Sequence, residues 1–204
     1  MFTSYTLLLG SKSQSRQQLL SEARIPFTVV SQDANETACD WNLPLVQLVE
    51  QIALYKMQHV QLPTGNKGEY CFVLTADTLS QDADGKINGK PTDKTDAIAK
   101  IKAARSGSQL CTAFCLDKRI WHKNAWEVDQ RIQKAVSAEY IFNIPDQWIE
   151  VYLKNSLGLS ASNAIAVEGF GAQFLQVVHG SYSTIVGLPM FELRQALEEL
   201  GFFK

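Results

Sequence analysis

The stretch CFVLTADT, residues 71 to 78, constrains this chain most. It is apolar almost throughout, ends on an aspartate and is followed by QDADGKING, whose Asp-Gly and Asn-Gly steps are hairpin chemistry. A short apolar run between turn signals reads as a central strand, covered on both faces. Such a strand needs partners and covering helices, and the neighbouring sequence offers both. Leu7–Leu9 fit a first short strand, followed by a helix from Ser11 or Ser13 to about Ala23. IPFTVV (25–30) fits a second strand. Apolar residues at Leu45, Leu48, Val49, Ile52, Leu54, Tyr55 and Met57 mark an amphipathic helix from Leu45 to about Leu62.

Beyond the central strand a helix is expected over 93–105, starting at Asp93. Residues 109–144 alternate and bend at HKN, as a long antiparallel pair does. A short helix over 145–155 with Pro145 near its first turn, a strand over 174–180 and a C-terminal helix over 189–202 complete the reading. Parallel units early and a hairpin late give a mixed α/β (α+β) fold, a twisted sheet flanked by helices and organised as two lobes. The 204 residues suffice for one such domain spanning the chain.

Composition removes several functions. A net charge of about -2 gives no overall field for nucleic acid, and the four tryptophans do not interleave with a basic patch. No apolar run reaches membrane-spanning length. The opening MFTSYTLLLG lacks a charged n-region and a small-residue cleavage site, so it reads as the first strand. Cys39, Cys71, Cys111 and Cys115 have no CxxC spacing and are expected as buried free thiols in a reducing cytoplasm. His59, His122 and His179 share no metal spacing.

Six places could carry chemistry. In LLLGSKSQSRQQLL (7–20) a strand stops and a helix begins, which presents backbone N–H groups and a positive dipole end to an anion. Arg16 can grip phosphate oxygens bidentately there. Taken alone, Ser11 and Ser13 need only be caps, because neither GxxxxGK[ST] nor GxGxxG is present. Asp77 ends the central strand, where α/β sheets open onto ligands. It could hold a divalent cation, orient water, or close an Asx turn. Lys90 sits between glycine and proline and could neutralise a phosphate or be a solvated turn lysine. Lys56, inside an apolar helix, could do the same or snorkel. Glu168 in VEGFGA is flanked by glycines that admit a ligand or make a tight bend. Glu36 follows the second strand as a metal ligand or a surface residue.

In this order the stretches resemble the Maf family of nucleoside triphosphate pyrophosphatases. The family's S-x-S-P-R-R-x-x-L-L is matched by Ser11 to Leu20, its A-D-T by Ala76-Asp77-Thr78 and its G-K-P by Gly89-Lys90-Pro91. Its helix lysine is matched by Lys56, its acidic residue after strand two by Glu36, and its late segment by VEGFGAQFLQVVHGSYSTIVGLP. The resemblance spans nearly the whole chain. It implies an elongated two-lobed fold shared with the inosine-triphosphate pyrophosphatases, with a cleft between the lobes. It implies cytoplasmic hydrolysis of a nucleoside triphosphate, standard or modified (7-methyl-GTP, dTTP or UTP), to monophosphate and pyrophosphate with a divalent cation, Mg²⁺ or Mn²⁺. Asp77 would then be the general base or metal-bound water activator, with Glu36 helping to hold metal. Ser11, Arg16, Lys56 and Lys90 would hold the phosphates. Ser15, Thr78 and Glu168 would fall where the family varies with substrate.

The chain departs from the pattern at Gln14, Ser15, Ser108, Ala161 and Asn163, which stand for a proline, an arginine or tryptophan, a histidine, a lysine and a glycine. Thr78 is of the dTTP/UTP type, whereas Glu168 is of the 7-methyl-GTP type. The partner implied is the triphosphate, without nucleic acid or membrane, and a homodimer is compatible with it. The alternative is a catalytically weak relative that binds nucleotide or a protein, in line with the family's association with septum formation.

Overall fold

A computed structural model describes residues 5–203. In chain order its elements are β1 (Leu7–Leu9), α1 (Gln14–Glu22), β2 (Phe27–Val29), α2 (Leu45–Gln58), β3 (Tyr70–Asp82), β4 (Ile87–Asn88), α3 (Lys94–Ala103), β5 (Ser108–His122), β6 (Ala125–Phe142), α4 (Asp146–Asn155), β7 (Leu175–His179), α5 (Tyr182–Val186) and α6 (Met190–Glu199). The sheet order is β2-β1-β3-β5-β6-β7, with β4 beside β3. The mixed α/β expectation holds. The part of the N-terminal expectation that falls on residues 1–4 lies outside the described residues.

The chain forms two compact units. The first comprises the chain up to Asp77, Ala113–Ala135 and the chain from Gly187. Here β1 pairs in parallel with both β2 and β3, Leu7 facing Phe27 on one side and Phe72 on the other. The run at 71–78 is central because both faces of β3 are covered. Phe72, Leu74 and Ala76 pack with Leu7, Leu9, Leu20, Leu193 and Leu197, and Val73 packs with Met57 and Cys115. Gly10 ends β1 so close to β3 that a Cβ would stand 2.9 Å from side-chain atoms of Thr75 and Val60.

The second unit comprises Thr78–Thr112 and Val136–Val186. Its core gathers Ile101, Leu110, Tyr140, Phe142, Tyr152 and Phe174. β3 pairs antiparallel with β4 (Ser80 with Asn88), and β6 antiparallel with β7 (Glu139 with His179).

Several boundaries differ from the sequence reading. α2 stops at Gln58, because His59 closes it and Val60 leaves to bridge Gln32. β3 runs four residues past Thr78 because the expected hairpin turn lies at its far end. The bend at HKN is a two-residue turn, Lys123 and Asn124 both left-handed (φ 48° and 63°), as a tight hairpin requires. α5 was not expected. SYSTIV is rich in β-branched residues and too short for a helical period to show. All four cysteines are buried and none forms a disulfide, as expected. Among the described residues no helix is long and apolar enough to cross a membrane.

Candidate active site

Alternation along β3 sets one side of the site. Val73, Thr75 and Asp77 share a face. The Thr75 hydroxyl donates to the Ala53 carbonyl on α2 at 2.8 Å. Two residues along the strand, and three along the helix, Asp77 meets Lys56. The Lys56 ammonium donates to Asp77 Oδ1 at 2.6 Å and lies 2.8 Å from Glu36 Oε1. Lys56 and Asp77 are both buried, and the Glu36 side chain is 42% exposed. Glu36 opens a short 3₁₀ turn (Glu36–Ala38) capped by the Asn35 side chain, and its carbonyl accepts from the Trp41 indole. The other carboxylate oxygen of Asp77, Oδ2, is buried and has no hydrogen-bond partner among the described residues. An ionised oxygen kept from water costs free energy unless a ligand meets it.

The loop after β1 supplies the other cation. Ser13 caps α1, accepting from the Arg16 N–H. Ser11 Oγ accepts from the Ser13 N–H at 3.3 Å and from Arg16 Nη1 at 3.2 Å. Arg16 is also anchored by Nε donating to the Gly187 carbonyl at 2.8 Å. The capping expectation therefore holds for Ser13, while Ser11 braces the arginine. Lys12 is exposed. Burial pushes the Arg16 guanidinium below its ordinary pKa, against the pull of Asp77 and Glu36. Burial raises the Cys39 thiol, helped by Glu36 and Asp77. Both shifts mark one electrostatic neighbourhood containing Ser11, Arg16, Glu36, Lys56 and Asp77.

The remaining candidates belong to the second unit. Thr78, the next residue on β3, exchanges a hydrogen bond with Thr112 Oγ1 at 2.9 Å. Thr112 donates its single proton to the Thr184 carbonyl, so it accepts the proton of Thr78. Lys90 is exposed, directly after a backbone pinned twice: Ser162 Oγ donates to the Asn88 carbonyl and the Asn163 N–H to that of Gly89, both at 2.9 Å. Glu168 is half-buried ahead of the turn Gly169–Phe174. The tight-bend reading of VEGFGA applies there. A Cβ on Gly171 would lie 1.8 Å from the Ala166 carbonyl oxygen. Ser15 is half-buried in the first turn of α1.

Sequence reasoning missed Asp82. It lay in a stretch read only as a turn. Its Oδ1 accepts from Ser108 Oγ at 3.1 Å and from Asn163 Nδ2 at 3.2 Å, and its Oδ2 from Asn88 Nδ2 at 2.6 Å. Two of the five departures from the family pattern, Ser108 and Asn163, thus meet on one carboxylate. The available signal was a second aspartate five residues after the first on the same strand. Asp82 also lines a groove of about 570 Å³ with Ser108, Glu139, Tyr140 and His179, and no expected site residue is among those lining it.

The family of Maf-like proteins matches residues 6–200. The chain belongs to this family. Among curated relatives it is similar to a nucleoside triphosphate pyrophosphatase of Trichormus variabilis, 31% identical over 96% of this chain and 93% of that one. It is similar to a dTTP/UTP pyrophosphatase of Geotalea uraniireducens, 31% identical over 96% and 95%. A dTTP/UTP pyrophosphatase of Ruminiclostridium cellulolyticum is 29% identical over 96% of each chain. For the Maf-like chain these matches fall across both units, so the charged cluster and the Lys90 turn lie within the matched span.

The cluster's donor set bears on a metal. Among the described residues, no three His, Cys, Asp or Glu side chains gather to hold one. Two carboxylates do share one position, and one of their oxygens is orphaned. A small hard cation such as Mg²⁺ commonly takes only one or two carboxylates from the protein and the rest from water and phosphate. The residues present fit that pattern.

Proposed function

We propose that this Maf-like protein hydrolyses nucleoside triphosphates to the monophosphate and pyrophosphate, with Asp77 as the catalytic carboxylate. The observation that carries the reading is the buried, unpartnered Oδ2 of Asp77 beside two buried cations. A carboxylate oxygen held out of water is a ready acceptor for the proton of an attacking water. Arg16, held at two points by Gly187 and Ser11, is oriented to bind phosphate without an ordering cost at the moment of reaction. Lys56 belongs to the same phosphate set, and Lys90 in the second unit is a further candidate for phosphate. The expected attack is at the α phosphorus, with the β and γ phosphates leaving as one unit.

A divalent cation, Mg²⁺ or Mn²⁺, belongs to this proposal. Arg16, Lys56, Asp77 and Glu36 sum to zero formal charge, which leaves this cluster no net positive charge to neutralise a triphosphate. Asp77 and Glu36 would hold the cation, which would supply the missing charge and polarise the phosphate oxygens. For the base, Thr78 is the informative residue. Its proton is committed to Thr112, so towards a substrate it acts as an acceptor. That suits the imide N–H of uracil or thymine, the bases in the names of two relatives. The Glu168 carboxylate is a second acceptor.

The alternative of a catalytically weak binding protein is not favoured, because Asp77, Lys56 and Arg16 are all present in one cluster. The decisive test is a pyrophosphate-release screen of the purified protein against UTP, dTTP, GTP and 7-methyl-GTP with Mg²⁺ or Mn²⁺. Pyrophosphate with monophosphate is expected. Orthophosphate with nucleoside diphosphate rejects the reading.

A further inference from the structure

We propose that Lys56 is an internal stand-in for the divalent cation, so that this protein takes up its metal together with the nucleotide and binds it poorly alone. The inference rests on the function proposed above.

The Lys56 ammonium lies between the two carboxylates that would hold the cation. It contacts Asp77 at 2.6 Å and Glu36 at 2.8 Å at once. It lies in the last turn of α2, whose C-terminal carbonyls favour positive charge. Without a cation there, two carboxylates would face each other with one buried; the lysine removes that repulsion. The same lysine repels an incoming metal ion and holds one oxygen of each of its ligands. The lysine contacts neither Asp77 Oδ2 nor Glu36 Oε2, and among the described residues no third carboxylate, histidine or cysteine gathers with them to hold a metal.

A triphosphate changes this balance in two ways. It supplies oxygen ligands that the protein lacks. It also offers Lys56 a new anionic partner within reach of a flexible four-carbon stem. Arg16 differs, since its guanidinium is pinned by Gly187 and Ser11. One cation is therefore fixed for phosphate, and the other is built to move from carboxylate to phosphate as metal enters. Coupling of this kind is reciprocal, so metal must tighten nucleotide by the factor by which nucleotide tightens metal.

The test is a Mn²⁺ titration followed by the electron paramagnetic resonance signal of free ion, on wild type, Lys56→Met and Lys56→Arg. Without nucleotide, Lys56→Met is expected to bind Mn²⁺ at least ~10-fold more tightly than wild type, and Lys56→Arg to stay as weak as wild type. An α,β-methylene analogue of UTP should tighten Mn²⁺ in wild type and do so far less in Lys56→Met. Lys56→Gln carries the same expectation if the methionine variant fails to melt cooperatively. Equal or weaker Mn²⁺ binding by the neutral variants overturns the proposal. So does a gain that survives adding Asp77→Asn, because the metal would then be elsewhere. A wild type that releases no pyrophosphate from any triphosphate rejects the proposed function, whereas active wild type without the Lys56→Met gain rejects this inference alone.

Discussion

Strand β3 carries two aspartates five residues apart, and their surroundings are opposite. Asp77 is buried, met by an ammonium and left with one oxygen unpartnered. Asp82 is half-buried and accepts from three neutral donors, Ser108, Asn88 and Asn163, spread over both oxygens. A carboxylate saturated by its own fold is a structural tie: it joins β3 to β4, to the start of β5 and to the segment around Asn163. A carboxylate left incomplete inside a charged cluster costs stability unless a ligand meets it. On the function proposed here, the same residue type on the same strand would serve chemistry at one position and architecture at the other.

The sharpest break of that comparison is Asp77→Asn. Asparagine keeps the shape but can neither accept a proton in the same way nor supply charge to a metal. Turnover should fall about 10³-fold or more, with nucleotide binding by calorimetry in the absence of divalent metal largely retained. A variant as active as the parent would mean that Asp77 is not the catalytic carboxylate. Next in size is Lys90→Ala. If the Ser162 and Asn163 clamps hold the Gly89–Lys90 turn for phosphate, losing the ammonium should cost about 10- to 10³-fold in kcat/KM with the melting temperature unmoved. No loss of kcat/KM would leave Lys90 a solvated turn residue.

Asp82→Ala tests the other half. Its three donors lose their acceptor, and a destabilisation of about 1–3 kcal/mol is expected by denaturant titration. Asn163 sharpens the point, because its backbone is left-handed at φ 54°. Asn163→Gly suits that conformation and Asn163→Ala does not, so alanine should be the worse replacement by about 1 kcal/mol. Equal stability of Asp82→Ala and wild type would show that the network is incidental.

These two aspartates also show what a sequence displays and what it hides. Asp77 was legible because it ends an apolar run; the strand itself continues to Asp82, so the expectation that Asp77 closes the strand does not hold. The pairing of Asp77 with Lys56 was not legible locally, since it depends on how α2 lies along β3, fixed by the Thr75–Ala53 bond. Lys56 stood out as a lysine inside an apolar helix, and only the family resemblance favoured phosphate over a snorkelling side chain. Asp82 stayed hidden because its partners come from positions 88, 108 and 163. Contacts over such separations leave no periodicity. The strands and long helices were readable from their apolar spacing; α5 and the 3₁₀ turns between 158 and 174, short and non-periodic, were not.

The smallest expected effect concerns the base. If Thr78 and Glu168 read the base as proposed, both would act as acceptors, and they differ in charge. Thr78 is neutral and its orientation is fixed through Thr112 and the Thr184 carbonyl. It should favour any base with an N–H at the right edge, whatever the charge. Glu168 adds a preference for strong donors and for a cationic ring such as 7-methylguanine. Glu168→Gln removes the charge, retains an acceptor and introduces an amide donor. The ratio of kcat/KM for 7-methyl-GTP to that for UTP should therefore fall about tenfold, within the roughly 1–3 kcal/mol expected of one charge-assisted hydrogen bond. The ratio of UTP to dTTP should hardly move, because those bases differ by a methyl group and share the same imide. Measuring the four substrates on both proteins decides it. An unchanged ranking would take Glu168 out of base recognition and leave Thr78 as the residue to pursue, by Thr78→Val, which removes the acceptor and keeps the shape.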